Sequence, residues 1–201
     1  MTHTVIVPGV GGSDDDHWQS WLQRQLMSCS RVQQKNWQHP VLADWIENFV
    51  YTLNKITTPI QIVAHSFGCL TSVAALTQHP ELKSKIQKMI LVAPANPARF
   101  CETGFATNSV ENYAQYFHQL RIDVPVDMII SENDPWLSFS DAQALAKAWK
   151  VKARNLGQVG HINVASGFGF FPEIFDHLLE TSLNSYINNF DESKLFFKFA
   201  I

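Results

Sequence analysis

Ser66, Asp134 and His161 are the residues of this chain whose types, order and surroundings could do chemistry together. Ser66 stands in Ala64-His65-Ser66-Phe67-Gly68, behind the apolar run Pro59-Ile60-Gln61-Ile62-Val63 and ahead of a helix-like stretch. That context predicts a sharp strand-to-helix turn, which lifts one side chain above a sheet edge and needs small residues on either side. The pattern is G-x-S-x-G with alanine at its first glycine, one extra methyl that the neighbouring strand must accommodate. A serine hydroxyl attacks poorly at neutral pH unless a base takes its proton, and a histidine oriented by a carboxylate does this well. Asp134, in Ser131-Glu132-Asn133-Asp134-Pro135-Trp136, lies just past a predicted strand, Val126 to Ile130. His161, in Gly160-His161-Ile162-Asn163, lies just past the next, Val151 to Leu156. Singly, an aspartate before proline is a turn former and a histidine after glycine an exposed loop residue. Three required types in the order serine, acid, histidine, each at the carboxyl end of a predicted strand, point instead to acyl transfer through Ser66. Glu132 is the main competitor for the acid position; Asp141 and Asp176 are less well placed.

Acyl transfer also needs amides aimed at the oxygen that becomes negative. The N–H of Phe67, next to the nucleophile, is one expected donor. The other is expected from Pro8-Gly9-Val10-Gly11-Gly12, at Val10 with Gly11 close behind. Gly11, Trp18, Phe67, Phe100 and Trp136 neighbour these loops and are candidates for substrate contact, with packing in the core as the alternative for the aromatics. His17 either overlooks the site or packs at a helix end. Ser13-Asp14-Asp15-Asp16 reads as a helix cap rather than a metal site.

The elements that must position these groups alternate. Thr4 to Val7 reads as a strand, followed by a helix through Trp18, Leu22 and Leu26. A strand near Arg31 to Gln34 precedes a helix bearing Trp45, Ile46, Phe49, Val50, Leu53 and Ile56 on one face. The Ser66 strand runs into a helix ending at His79-Pro80, and Met89 to Ala93 is a buried strand without alternation. Between Pro94 and Asp123 the pattern breaks, with a helix expected from Val110 to Leu120 that is either a small cap or a plain crossover. Ala142 to Trp149 and Pro172 to Tyr186 are expected helices. The reading is a single-domain α/β fold with a mainly parallel, doubly wound sheet and little or no cap, over residues 1–190.

At 201 residues the chain can bury a full core without disulfides, and three widely spaced cysteines, Cys29, Cys69 and Cys101, form neither a disulfide framework nor a zinc knuckle. A net charge of −3 with scattered Lys and Arg gives no case for nucleic acid. Gly9-Val10-Gly11 is followed by Asp14 where a dinucleotide fingerprint needs glycine, and no Gly-Lys-Ser/Thr loop occurs. None of the eight histidines forms an H-E-x-x-H pair, so no metal and no cofactor is expected. The chain reaches Pro8-Gly9 too early for a signal peptide and lacks an apolar run of about 18 residues, so no membrane span and a cytoplasmic setting are expected.

With these residues in place, the chain resembles the compact α/β-hydrolases of the retinoblastoma-binding-protein and YdeN type, a family of serine hydrolases. The resemblance runs from Thr4 to about Tyr186. It passes through Val5-Ile6-Val7-Pro8-Gly9, His17-Trp18, Asn36-Trp37, Asp44-Trp45, Val63-Ala64-His65-Ser66-Phe67-Gly68 and Leu91-Val92-Ala93-Pro94. It ends with Ser131-Glu132-Asn133-Asp134-Pro135 and Gly160-His161-Ile162-Asn163. It implies the same triad, alanine before the His-Ser pair as a usual variant, and hydrolysis of a carboxylic ester, thioester or amide. A protein-binding module with little turnover on the same scaffold is the rival reading. The L-x-C-x-E motif of a retinoblastoma partner is absent, since Met27, Phe67 and Arg99 stand two before the cysteines. The aromatic tail 191–201 lies beyond the resemblance.

Overall fold

The computed structural model describes residues 2–99 and 113–178. Four runs bearing Val and Ile form β1 (His3–Val7), β3 (Ile60–Ser66), β4 (Ile86–Pro94) and β5 (Val126–Ile130), and two polar three-residue segments form the edge strands β2 (Cys29–Arg31) and β6 (Ala153–Asn155). All pair in parallel, in the order β2-β1-β3-β4-β5-β6. Parallel neighbours need crossovers, and helices supply them: α1 (Trp18–Gln25), α2 (Leu42–Asn54), α3 (Phe67–Gln78), α4 (Tyr113–Gln119) and α5 (Phe139–Trp149). The central strands are buried along both faces, as crossover helices require. Val5, Val7, Ile62, Ala64, Met89 and Leu91 join one apolar cluster with residues of α2, α3 and α5. Their sequence neighbours Ile6, Val63, Ile90 and Val92, which alternation turns to the opposite face, are equally buried. This is the α/β architecture that the alternating pattern implies.

Helix α2 shows how the core reaches the nucleophile turn. It buries Trp45, Ile46, Phe49 and Leu53 and exposes Asp44, Glu47 and Asn54, a stripe at helical spacing. The Trp45 ring meets Phe67, the first residue of α3, edge-on at 4.8 Å.

Three local expectations are corrected. The second strand is Cys29–Arg31, not Arg31 to Gln34, because an edge strand extends only as far as its partner, here Thr4 to Ile6 of β1. The last strand is shortened to Ala153–Asn155, since the Val151 amide bonds to the Ala146 carbonyl at the end of α5. The cap of α1 is His17, whose Nδ1 accepts from the Gln19 amide at 3.1 Å; the acidic run before it forms a turn. Of the helix expected over Val110 to Leu120, Tyr113–Gln119 is described. The rest of that segment, with Phe100 and Cys101, lies outside the described residues. The chain divides into two compact units, Met1–Phe171 and Pro172–Ile201. Of the second, residues 172–178 are described, helical from 174, and the tail 191–201 lies outside. Among the described residues no helix is long and apolar enough to cross a membrane.

Helix α5 ends on Lys150 at φ 58 and ψ 37, a left-handed cap bonding back to the Ala146 and Lys147 carbonyls. Glycine holds that conformation without a Cβ penalty. Lys150→Gly should therefore raise unfolding stability in urea by about 0.5–1 kcal/mol; a loss would show that Lys150 is unstrained there.

Candidate active site

Strand β1 lies between β2 and β3, so the loops leaving β1 and β3 diverge and open a crevice at the carboxyl edge of the sheet. Ser66 ends β3 in that crevice. Its backbone is left-handed, φ 53 and ψ −121, before α3 begins at Phe67, a conformation costing a non-glycine residue about 1–3 kcal/mol. The turn is possible because two neighbours lack a Cβ. One added at Gly68 would lie 2.3 Å from the Val7 carbonyl oxygen and 2.6 Å from that of Pro8. One at Gly9 would lie 2.7 Å from the Ser66 Cβ. Ala64, where the motif has its first glycine, is fully buried between β1 and β4, and its methyl is accommodated.

The Ser66 hydroxyl lies 2.9 Å from His161 Nε2. His161 Nδ1 lies 2.8 Å from Asp134 Oδ2 and 3.0 Å from Oδ1. Ionised carboxylate oxygens only accept, so Nδ1 carries the proton; in the neutral ring Nε2 then holds a lone pair and accepts from the hydroxyl. Both side chains are nearly sealed, His161 at 7% exposure and Asp134 at 4%. Asp134 Oδ1 also receives the Trp136 amide at 2.8 Å, which fixes the carboxylate. Sequence reasoning thus names three residues that the fold brings into one hydrogen-bonded chain. Glu132 bonds to Asn155 instead.

Other residues hold this chain in place, in roles that no motif marks. Asn133 Oδ1 accepts from the Gly160 amide at 2.7 Å and so ties the histidine loop to the aspartate loop. His65 Nε2 donates to the His161 carbonyl at 2.9 Å. Trp18 Nε1 donates to the next carbonyl, Ile162, at 2.8 Å. The two donors grip a strained turn, for Ile162 is buried at φ 49, outlying for a β-branched residue. Gln19, fully buried, donates to the Val7 and Val63 carbonyls at 3.3 and 3.1 Å, across the ends of β1 and β3, and accepts from the Ser13 hydroxyl at 2.7 Å. The only signal that could have marked these residues is that buried amides and imidazoles need partners.

A cavity of about 210 Å³ opens over Ser66. Val10, Ser13 and His17 wall it from the loop after β1; Asn96 and Arg99 from that after β4; Trp136 from that after β5; Asn163 from that after β6. Two expected contacts are corrected. Trp18 is core, 0% exposed, with its indole turned to Ile162 rather than to the cavity. Gly11 is off the wall, its amide donating to the Trp37 carbonyl at 3.0 Å, and the Gly12 amide bonds to Gly9. Val10 is the residue of this loop, Pro8 to Gly12, that lines the wall. Phe67 and Trp136 both reach the wall, and Phe100 lies outside the described residues. His17 does both things expected of it, capping α1 and facing the cavity.

Three imidazoles pack here at tilted angles, with ring centroids 4.9 Å apart between His17 and His65 and again between His65 and His161. Burial, then Arg31 and His161, pushes the His17 pKa down to about 4. Burial, then His161 and His17, holds His65 well below the usual histidine range. Both stay neutral at pH 7. This agrees with their bonds: Nδ1 of His17 accepts, and Nε2 of His65 donates to a carbonyl.

The fold and this geometry define an α/β-hydrolase with a serine, histidine and aspartate at its sheet edge. A serine hydrolase family model matches residues 4–180. A protein described as a YdeN-like hydrolase from Pectobacterium atrosepticum is 33% identical, over 90% of this chain and 91% of that one, with a TM-score of 0.76. The ydeN gene product of Bacillus subtilis is 20% identical over 90% and 98%, at 0.71. Est1E from Butyrivibrio proteoclasticus, solved with ferulic acid bound, is 15% identical over 91% and 90%, at 0.64, a likeness of fold. No curated protein matches. The chain belongs to the serine hydrolase family and is a hydrolase of the YdeN-like type.

Two outcomes follow. Trp18→Phe fills most of the same space but leaves the Ile162 carbonyl unpaired. It should lower unfolding stability by about 1–3 kcal/mol and slow ester turnover roughly ten- to hundredfold, as the His161 turn loosens. A change in KM alone, with stability intact, would return Trp18 to the cavity wall. In acid, the unfolded chain protonates His17 below about pH 6.5 while the folded one resists until about 4, so stability falls as pH drops through that window. His17→Asn, whose Oδ1 can take over the cap from Nδ1, should reduce that slope in urea titrations at pH 4 to 7, leaving the share due to His65; an unchanged slope would show that His17 does not contribute.

Proposed function

We propose that this enzyme cleaves small carboxylic esters through an acyl-enzyme on Ser66, with His161 as general base and acid and Asp134 as the orienting carboxylate. What carries the reading is the unbroken hydrogen-bonded chain from the Ser66 hydroxyl through both imidazole nitrogens to Asp134. As the Ser66 oxygen bonds to the ester carbonyl carbon, its proton passes to His161 Nε2. The imidazolium so formed is stabilised through Nδ1–H by Asp134. The tetrahedral intermediate places its negative oxygen toward the amides of Phe67 and Val10, the proposed oxyanion hole. Collapse breaks the bond to the alcohol oxygen, which takes the proton from Nε2 and leaves. Water then repeats the sequence on the acyl-enzyme, releasing the acid and restoring Ser66.

The cavity of about 210 Å³ favours short acyl groups, being smaller than the roughly 300–1,000 Å³ that hold drug-sized ligands. The hydrolase domain is taken to span residues 1–190, with 191–201 as a tail. Cys29 and Cys69 are free thiols, which suits the reducing cytoplasm.

Steady-state hydrolysis of 4-nitrophenyl acetate and butyrate tests the reading. Ser66→Ala and His161→Ala should each lower kcat by about 10⁴–10⁶, and the double variant should be scarcely worse than either, because the residues act as a unit. A loss below about tenfold in Ser66→Ala would remove Ser66 from the mechanism.

A further inference from the structure

The walls of the cavity are unusual in what they lack. No carboxylate lines it among the described residues; Asp134 lies behind His161, 4% exposed. The polar groups that do face it are donors or neutral. His17, with Nδ1 engaged by the Gln19 amide, has only its Nε2–H left to offer, and burial keeps that ring uncharged near pH 7. His65 turns its Nε2–H away, to the His161 carbonyl. The standing charge on the wall is the guanidinium of Arg99, in the short 3₁₀ turn Pro97–Arg99 after β4.

Arg99 is held rather than free. Its guanidinium carbon lies 4.9 Å above the Trp136 ring, and Nη2 donates to the Pro135 carbonyl at 3.3 Å. The Trp136 ring in turn lies 6.3 Å from that of His161. The ring and the carbonyl hold the guanidinium at the wall, and among the described residues they engage only part of its five-donor fork. Among the described residues no carboxylate pairs with it. A fixed, half-buried cation with no carboxylate paired to it among the described residues, one aromatic ring from the reacting histidine, can take an anionic partner from the substrate.

We infer that Arg99 binds a carboxylate on the substrate, so that the esters turned over carry an anionic group a few bonds from the scissile carbonyl. This rests on the acyl-enzyme reading above. The carboxylate belongs either to the acyl chain or to the alcohol, and the test has an arm for each. The first arm compares kcat/KM for mono-4-nitrophenyl succinate with that for 4-nitrophenyl butyrate, which matches it in length without the charge. The second compares 4-acetoxybenzoate with phenyl acetate. Each ratio of charged to neutral ester is measured in the wild type, in Arg99→Gln and in Arg99→Lys. Arg99→Gln retains a donor for Pro135 and much of the stem, which guards against a folding artefact.

In at least one arm the ratio should fall tenfold or more in Arg99→Gln, through KM more than kcat, with Arg99→Lys recovering part of the loss. The arm that responds says which half of the ester carries the charge. Ratios that stay within twofold of wild type in both arms would overturn the assignment while neutral esters still report a working hydrolase. If the folded wild type cleaves none of the four, and Ser66→Ala is no different, the acyl-enzyme reading itself fails and this proposal falls with it.

Discussion

The site depends on a backbone conformation that Ser66 can hold only because positions 9 and 68 have no side chains. At φ 53 the serine is turned out of the β3 ladder and up from the sheet edge. A methyl at either glycine would meet the turn or its neighbouring strand well inside van der Waals contact. The strain is not isolated. Ser13, Ala93 and Ile162 are also left-handed without being glycine, and each sits in a loop or strand end at the same carboxyl edge. Such conformations persist only where surrounding structure over-determines them. Here the surroundings are the Gln19 amide across β1 and β3, and the Trp18 and His65 donors on the histidine turn.

Electrostatics and packing then work in one direction. A cluster of imidazoles would be repulsive if charged, and burial keeps His17 and His65 neutral, so they act as fixed hydrogen-bonding spacers. Each engages one nitrogen with the backbone, which leaves its tautomer no freedom. The proton on His161 is placed by the same logic, through the carboxylate at Nδ1. What faces the cavity is the Nε2 edge of His161 beside the Ser66 hydroxyl, Val10 and His17 from the β1 loop, and the cation of Arg99.

The alternation of strands and helices along the chain and the three residues at strand ends were legible because both follow from patterns within a few residues of each other. Apolar runs bounded by Gly, Pro or Asp mark the strands, and serine, aspartate and histidine fall just past three of them. What was not legible depends on partners distant in sequence. Gly11, expected at the substrate, is off the cavity wall because its amide finds the Trp37 carbonyl. Trp18 neighbours the site as expected, yet its indole points to Ile162, a direction that spacing cannot supply. His17 displaces the acidic run as helix cap, although Asp and Ser have the stronger intrinsic preference, because Ser13 is drawn to Gln19. Arg99 carried no motif at all; its meaning comes from its place on the cavity wall, where no carboxylate stands among the described residues.

The central claim is that the Ser66 hydroxyl is activated by the ring beside it, and covalent trapping reads this most directly. A fluorophosphonate incubated with the folded protein, followed by digestion and mass spectrometry of the peptides, should give one adduct, on Ser66, that His161→Ala abolishes. An unlabelled folded protein, or a label carried by another serine, would contradict it.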